Sequence, residues 1–204
     1  MGRRLTERKI VLASHNSGKL REIGDLLAPH GIEVVSAGAL GLAEPRETET
    51  TFAGNARIKA HFAARQGGMP ALSDDSGLIV EGLGGAPGVH TADWAETPTG
   101  RDFPMAMERV WKELTAANAP QPWRAAFHCT LCLAWPDSHD EIYAGEADGT
   151  LTWPTRGDHG FGFDPMFIPN GHSRTFGEML YAEKAPISHR AHAFAKFTDQ
   201  ALAK

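Results

Sequence analysis

The sequence has little of what marks several large classes of protein. Of 204 residues only two are cysteine, Cys129 and Cys132. That excludes a disulfide scaffold and predicts a reduced, cytoplasmic chain. Long apolar runs are missing: none approaches the ~20 residues needed to span a bilayer, so no membrane partner is expected. The cationic start, with Arg3, Arg4, Arg8 and Lys9, leads only into the short apolar run Ile10 to Ala13. That run is too brief for a signal peptide and suits a buried first strand. Positive charge is not in excess, the formal net charge being -5. A weakly acidic protein has no general attraction for DNA or RNA, and no nucleic-acid partner is expected. A small anion such as a nucleotide can still bind where a few cations converge, helped by the divalent metal that a triphosphate normally carries.

What is present is ordinary globular material. Apolar residues make up 42% and charged residues 22%, enough for a real core. The length suits one domain or two small closely packed lobes, and with no repeat, low-complexity tract or long linker a single domain over residues 1–204 is expected. Apolar periodicity predicts a strand over Lys9 to Ser14, then a helix from about Gly18 to Ala28 with Leu20, Ile23 and Leu27 on one face. A strand at Ile32 to Val35 and an acidic loop from Gly38 to Thr51 follow. Thr51 then caps a helix to about Arg65, with Phe52, Ala56, Ala60 and Ala63 in a stripe. Very short strands are predicted at Ala71 to Ser73 and Leu78 to Val80, with Asp74 to Gly77 as a turn between them. Further on come a helix over Pro104 to Asn118, strands over Trp123 to Trp135, Asp140 to Gly149 and Met166 to Ile168, and a last helix from Ser188. Its inner side is assigned to Ala191, Phe194, Ala195 and Leu202. Mixed elements with adjacent strands in mid-chain favour an α/β or α+β mixed sheet over a regular doubly wound fold. Cys129 and Cys132 lie three apart in a predicted strand, so their thiols point to opposite faces, as core cysteines rather than a redox or metal pair.

Four constellations can carry chemistry. Ser14-His15-Asn16-Ser17-Gly18-Lys19 stands where a strand hands over to a helix. Free N–H groups at a helix start, with Lys19 adding charge, make an anion site; the same Ser and Asn can simply cap the helix. The spacing is not that of a Walker A loop. In Ser73-Asp74-Asp75-Ser76-Gly77, two adjacent carboxylates need a compensating cation, and Mg²⁺ suits a phosphate substrate. A solvated Asx turn is the other reading. Glu47 of the earlier loop can complete a metal shell. Gly160-Phe161-Gly162-Phe163-Asp164-Pro165 interleaves glycine with aromatics. Its rings either stack on a purine, an interaction worth ~1–3 kcal/mol per base elsewhere, or flank a tight turn as core. Finally, Glu183-Lys184 precedes Ile187-Ser188-His189-Arg190 at a helix start, where Arg190 offers fixed donors to a carbonyl oxygen.

Taken in order, these motifs resemble the inosine triphosphate pyrophosphatase family, the dITP/XTP pyrophosphatases. Thr51-Phe52-Ala53-Gly54-Asn55-Ala56 with Lys59 and Leu83-Gly84-Gly85-Ala86-Pro87-Gly88-Val89 add to the match, which spans Ile10 to Phe197. The resemblance implies a two-lobed α/β fold with a long central mixed sheet and an active-site cleft between the lobes. It implies a homodimer, Mg²⁺, and hydrolysis of a purine nucleoside triphosphate to the monophosphate and pyrophosphate. On matching positions, Ser14, His15, Asn16, Ser17, Gly18 and Lys19 would hold the phosphates, helped by Lys59. Asp75 would bind metal and accept a proton, with Ser76 beside it and Asp74 and Glu47 as further metal ligands. Phe161, Gly162, Phe163, Asp164, Lys184, His189 and Arg190 would contact the nucleoside. Two positions depart from the family pattern: Gly54 stands where Glu is frequent, and Arg46 aligns with a position that is often acidic, which leaves Glu47 as the substitute ligand.

Overall fold

The computed structural model describes residues 2–202. Six strands form one mixed sheet in the order β2-β1-β3-β6-β7-β8. They are β1 (Lys9–Leu12), β2 (Glu33–Ser36), β3 (Ala71–Val80), β6 (Arg124–Ala134), β7 (Asp140–Leu151) and β8 (Phe167–Pro169). β1 pairs in parallel with both β2 and β3, and β7 pairs antiparallel with β8. A small antiparallel pair, β4 (Glu96–Thr97) and β5 (Gly100–Arg101), stands apart from this sheet. Five α-helices complete the fold: α1 (Ser17–Leu27), α2 (Phe52–Gly67), α3 (Phe103–Ala116), the single turn α4 (Tyr181–Lys184) and α5 (His189–Ala201). None of the described helices is long and apolar enough to cross a membrane.

The chain divides into two compact units, each discontinuous in sequence. The first comprises residues 1–75, 129–145 and 193–204, the second residues 76–128 and 146–192. The first has two apolar clusters. One joins Ile10 and Leu12 of β1, Ile23 and Leu27 of α1, Cys129, Leu131 and Leu133 of β6, and Phe194 and Phe197 of α5. The other sets Val11 and Ala71 against the alanine stripe Ala56, Ala60, Ala63 and Ala64 of α2, with Cys132 and Ala134. Small side chains let α2 lie close, which brings its Lys59 within 2.8 Å of Asp75 in the middle of β3. The two thiols fall in different clusters, as strand alternation requires. The second unit is aromatic at its centre: Phe127, Phe163, Phe167 and Phe176 pack with Val110 and Leu114 of α3.

Two predicted details are corrected. Asp74 to Gly77 do not form a turn between two very short strands; β3 runs unbroken through them. The inner face of α5 is Ala193, Phe194, Phe197 and Ala201, while Ala195 is exposed and Ala191 only half-buried. The core beneath α5 takes the phenylalanines at positions 194 and 197, and that sets the helix's rotation.

Candidate active site

In the first unit, β1 delivers the chain to the start of α1. Asn16 is the N-cap: its Oδ1 accepts from Lys19 N at 3.1 Å, a contact of the kind worth ~1 kcal/mol. Ser14 is buried and its Oγ accepts from Asn16 N at 3.2 Å. So both polar side chains shape the turn, which is the capping reading. The first-turn N–H groups of Ser17 and Gly18 have no acceptor within the helix itself, as at any helix start. His15 is exposed, its Nε2 lying 3.1 Å from the Leu42 carbonyl oxygen.

The two carboxylates of β3 are buried in mid-strand, and each is answered by a lysine. Asp74 Oδ1 lies 2.5 Å from Lys19 Nζ, and Asp74 Oδ2 accepts from Cys129 Sγ at 3.2 Å. Asp75 Oδ1 lies 2.8 Å from Lys59 Nζ, which also reaches Glu47 Oε1 at 3.0 Å. Burial would lower the Lys59 pKa, but Asp75 and Glu47 outweigh it and hold the ammonium above its usual range. Asp75 is pushed up to about 6, chiefly by burial and further by Glu47, against the opposing pull of Lys59 and Lys19. Its second oxygen, Oδ2, is buried with no hydrogen-bond partner.

That orphaned oxygen is the observation that fits a cation. A hard divalent ion takes carboxylate oxygens, and Asp75 offers one, with Glu47 brought to the same ammonium. Glu47 is about a third exposed, so it can turn. Asp74 fits less well than the sequence suggested: both of its oxygens face donors, Lys19 and Cys129, in a wholly buried setting. Among the described residues, no group of three or more His, Cys, Asp or Glu side chains converges as a ready-made metal cage. Gly54 has a local reason: a Cβ there would stand 2.5 Å from Glu49 Cβ. Sequence reasoning passed over Asn55, which is buried and whose Oδ1 accepts from Glu49 N at 2.9 Å. This bond pins the acidic loop to α2, and the signal for it lay in a motif quoted only for resemblance.

The second unit gathers the other candidates. Asp164 Oδ2 accepts from Lys184 Nζ at 2.6 Å and from Phe161 N at 2.8 Å. Gly160 makes this closure possible: its φ is +75°, and a Cβ would fall 2.0 Å from that oxygen. Asp164 therefore organises the loop and positions Lys184. The Lys184 ammonium sits 5.0 Å from the centre of the half-buried Phe161 ring. Phe163 takes the core reading rather than the stacking one: its ring is buried and meets Phe103 in a T-shaped contact at 5.9 Å. Gly162, at φ +68°, provides the turn between the two phenylalanines. His189 is buried and stacks on Phe127 at 5.0 Å and 17°. Arg190 is 2% exposed, and its Nη2 reaches Ser76 Oγ at 3.4 Å.

A mixed α/β fold that buries paired carboxylates against lysines beside a helix start is that of an enzyme handling phosphate anions. The Ham1 family model matches residues 10–200, and the chain belongs to the Ham1 family. It is 60% identical over 188 residues to the dITP/XTP pyrophosphatase of Ruegeria pomeroyi, covering 92% of each chain. It is 56% identical over 210 residues to the dITP/XTP pyrophosphatase of Mesorhizobium japonicum, covering 97% of this chain and 95% of that one. Among solved structures, a HAM1 protein from Coxiella burnetii superposes with a TM-score of 0.87 at 36% identity, covering 95% of this chain and 98% of that one. A nucleoside-triphosphatase / dITP/XTP pyrophosphatase from Mycobacterium abscessus gives 0.76 at 34% identity, covering 93% and 98%.

Proposed function

We propose that this chain is a Mg²⁺-dependent pyrophosphatase for non-standard purine nucleotides, cleaving ITP, XTP and their deoxy forms to the monophosphate and pyrophosphate. The names of its relatives support the reaction. The observation that carries it is the Lys59 bridge between Asp75 and Glu47, with Asp75 Oδ2 buried and unpartnered.

Asp75 and Glu47 would hold the metal. A bound Mg²⁺ would offset phosphate charge and polarise the anhydride that breaks. Ser17 and Gly18 N–H groups and Lys19 bind phosphate oxygens. Lys59 counters charge developing on the leaving pyrophosphate. Asp75 accepts the proton of the attacking water, a role open to a carboxylate within reach of that water. In the second unit, Lys184, Phe161 and His189 hold the nucleoside, and Arg190 donates to the 6-keto oxygen. Adenine carries an amino donor there, which cannot accept from the guanidinium, and a site built on such a bond can discriminate by orders of magnitude. The protein acts in the cytoplasm, as a homodimer.

The test is turnover of ITP, XTP, GTP, ATP and a modified pyrimidine triphosphate, with Mg²⁺ and with EDTA, scoring pyrophosphate against phosphate release. Pyrophosphate from ITP and XTP, only with metal, supports the reading. Tight ITP binding without cleavage would make the chain a nucleotide-binding protein, and preference for the pyrimidine would move it to another substrate class. Light scattering tests the dimer.

A further inference from the structure

Cys129 lies on β6, next to β3 in the sheet, and its thiol is hydrogen-bonded to a carboxylate of the candidate site, that of Asp74. Packing alone does not call for sulfur there. Its apolar neighbours, including Leu12, Leu72 and Leu131, would accept a small aliphatic side chain equally well. What only the thiol supplies is a donor, weak but present, aimed at Asp74 Oδ2 at 3.2 Å. A carboxylate held at one oxygen cannot rotate freely about its bond. Its other oxygen, Oδ1, is then fixed toward Lys19 Nζ, 2.5 Å away. Lys19 also approaches the Asp74 carbonyl oxygen at 3.4 Å. An ammonium has three donors, so two directions are set by Asp74 and the third remains for a ligand. The Lys19 side chain is 17% exposed while that of Asp74 is wholly buried, so the relay runs from the core outward.

We infer that Cys129 is a positioning residue for phosphate binding: its thiol orients Asp74, and Asp74 orients Lys19. This rests on the reading of Lys19 as a phosphate ligand. It also gives Asp74 a role other than metal ligation.

The test compares Cys129→Ala, which removes the donor, with Cys129→Ser, which keeps one, each alone and in a Lys19→Ala background. Two quantities are read: the affinity for inorganic pyrophosphate with Mg²⁺, by calorimetry, and kcat and KM for ITP. Cys129→Ala should weaken pyrophosphate roughly three- to tenfold, the scale of one neutral hydrogen bond, and raise KM for ITP alongside. Cys129→Ser should stay within about twofold of wild type, for the same reason. In the Lys19→Ala background Cys129→Ala should change nothing more, since the relay has lost its end. Melting temperature is followed throughout, and Cys129→Val, similar in size without a donor, replaces the alanine variant if that one unfolds. The proposal is overturned if the donor-lacking variant binds like wild type, if Ser and Ala lose affinity equally, or if the loss persists without Lys19. Pyrophosphate binding needs no turnover. A wild type that never cleaves ITP, yet whose pyrophosphate affinity follows this pattern, would end the enzymatic reading and leave the positioning role standing.

Discussion

Lys59 donates to Asp75 Oδ1 at 2.8 Å, and both side chains are more than nine-tenths buried. The ammonium keeps the carboxylate ionisable in the protein interior without satisfying its second oxygen. A group in that state contributes to chemistry more than to packing. Asp75→Asn, close in shape, should therefore keep the fold and lose turnover by at least ~10³-fold, about 4 kcal/mol of barrier. Pyrophosphate release from ITP with saturating Mg²⁺ checks the first part and circular dichroism the second. Near-normal kcat would remove Asp75 from the reaction.

The pKa of Asp75 sets a pH dependence of definite sign. Its value rises from 3.8 unfolded to about 6 folded. The native state thus binds this proton more tightly. The group's stabilising contribution is full below pH ~4, falls as pH rises through ~6, and is absent above it. At roughly 1.4 kcal/mol per unit, the change is on the order of 3 kcal/mol in metal-free protein. A divalent ion must displace the same proton. Mg²⁺ binding should therefore release close to one proton near pH 5 and almost none near pH 8, with affinity weakening toward tenfold per unit below ~6. Calorimetry in buffers of different ionisation enthalpy measures this; proton release that is equal at both pH values would contradict it.

How much of this was legible beforehand can be argued from a few residues. The order of motifs made Lys19, Asp75, Lys184 and Arg190 expected site residues through the family resemblance, and the structure buries Asp75, Lys184 and Arg190. The backbone at Asp74 and Asp75 was not legible. Ser-Asp-Asp-Ser-Gly has turn composition, and only Lys19 and Lys59, 55 and 16 residues distant in sequence from their partners, make a continuous buried strand tolerable. Tertiary compensation of this kind leaves no local trace. Phe163 was ambiguous for a related reason, since Gly-Phe-Gly-Phe does not say which ring the core will take; Phe103, 60 positions upstream in sequence, decides it.

Gly160 offers a test of the loop in the second unit. A Cβ at this position would overlap Asp164 Oδ2, and the positive φ already disfavours any side chain. Gly160→Ala should break the closure of Asp164 on Phe161 N and Lys184. The expected result is a lower melting temperature, equivalent to roughly 1–3 kcal/mol, and a higher KM for ITP. Thermal denaturation and steady-state kinetics measure the two; wild-type values in both would show that the loop readily takes another shape.

Lys19 should act on phosphate alone. Lys19→Ala removes the ammonium that β3 holds 2.5 Å from Asp74, and should weaken ITP and ATP by a common factor, on the order of tenfold or more for a charged contact. The ratio of kcat/KM for ITP over ATP should not move, since a phosphate contact sees no base. A changed ratio would place Lys19 near the purine instead.

Base choice is assigned to Arg190. It is the second residue of α5, just after Ser188, whose Oγ accepts from Ala191 N at 3.1 Å and anchors the start of that helix. The guanidinium is buried, with Nη2 3.4 Å from Ser76 Oγ, and its donors lie in one rigid plane. A 6-keto oxygen can accept from them; a 6-amino group cannot. Losing a charged donor to a keto oxygen removes ~1.5–3 kcal/mol, or roughly ten- to a hundredfold in rate. Arg190→Ala should lower kcat/KM for ITP and XTP by that factor while the low rate with ATP changes little. Because Arg190 is buried, the variant also opens a cavity, so Arg190→Met is measured beside it to keep volume without the donors. Both variants should flatten the ITP-to-ATP ratio. If ITP, XTP, GTP and ATP all fall by one factor in the methionine variant, Arg190 serves the common part of the nucleotide or the fold, and the specificity of this chain has to come from another donor.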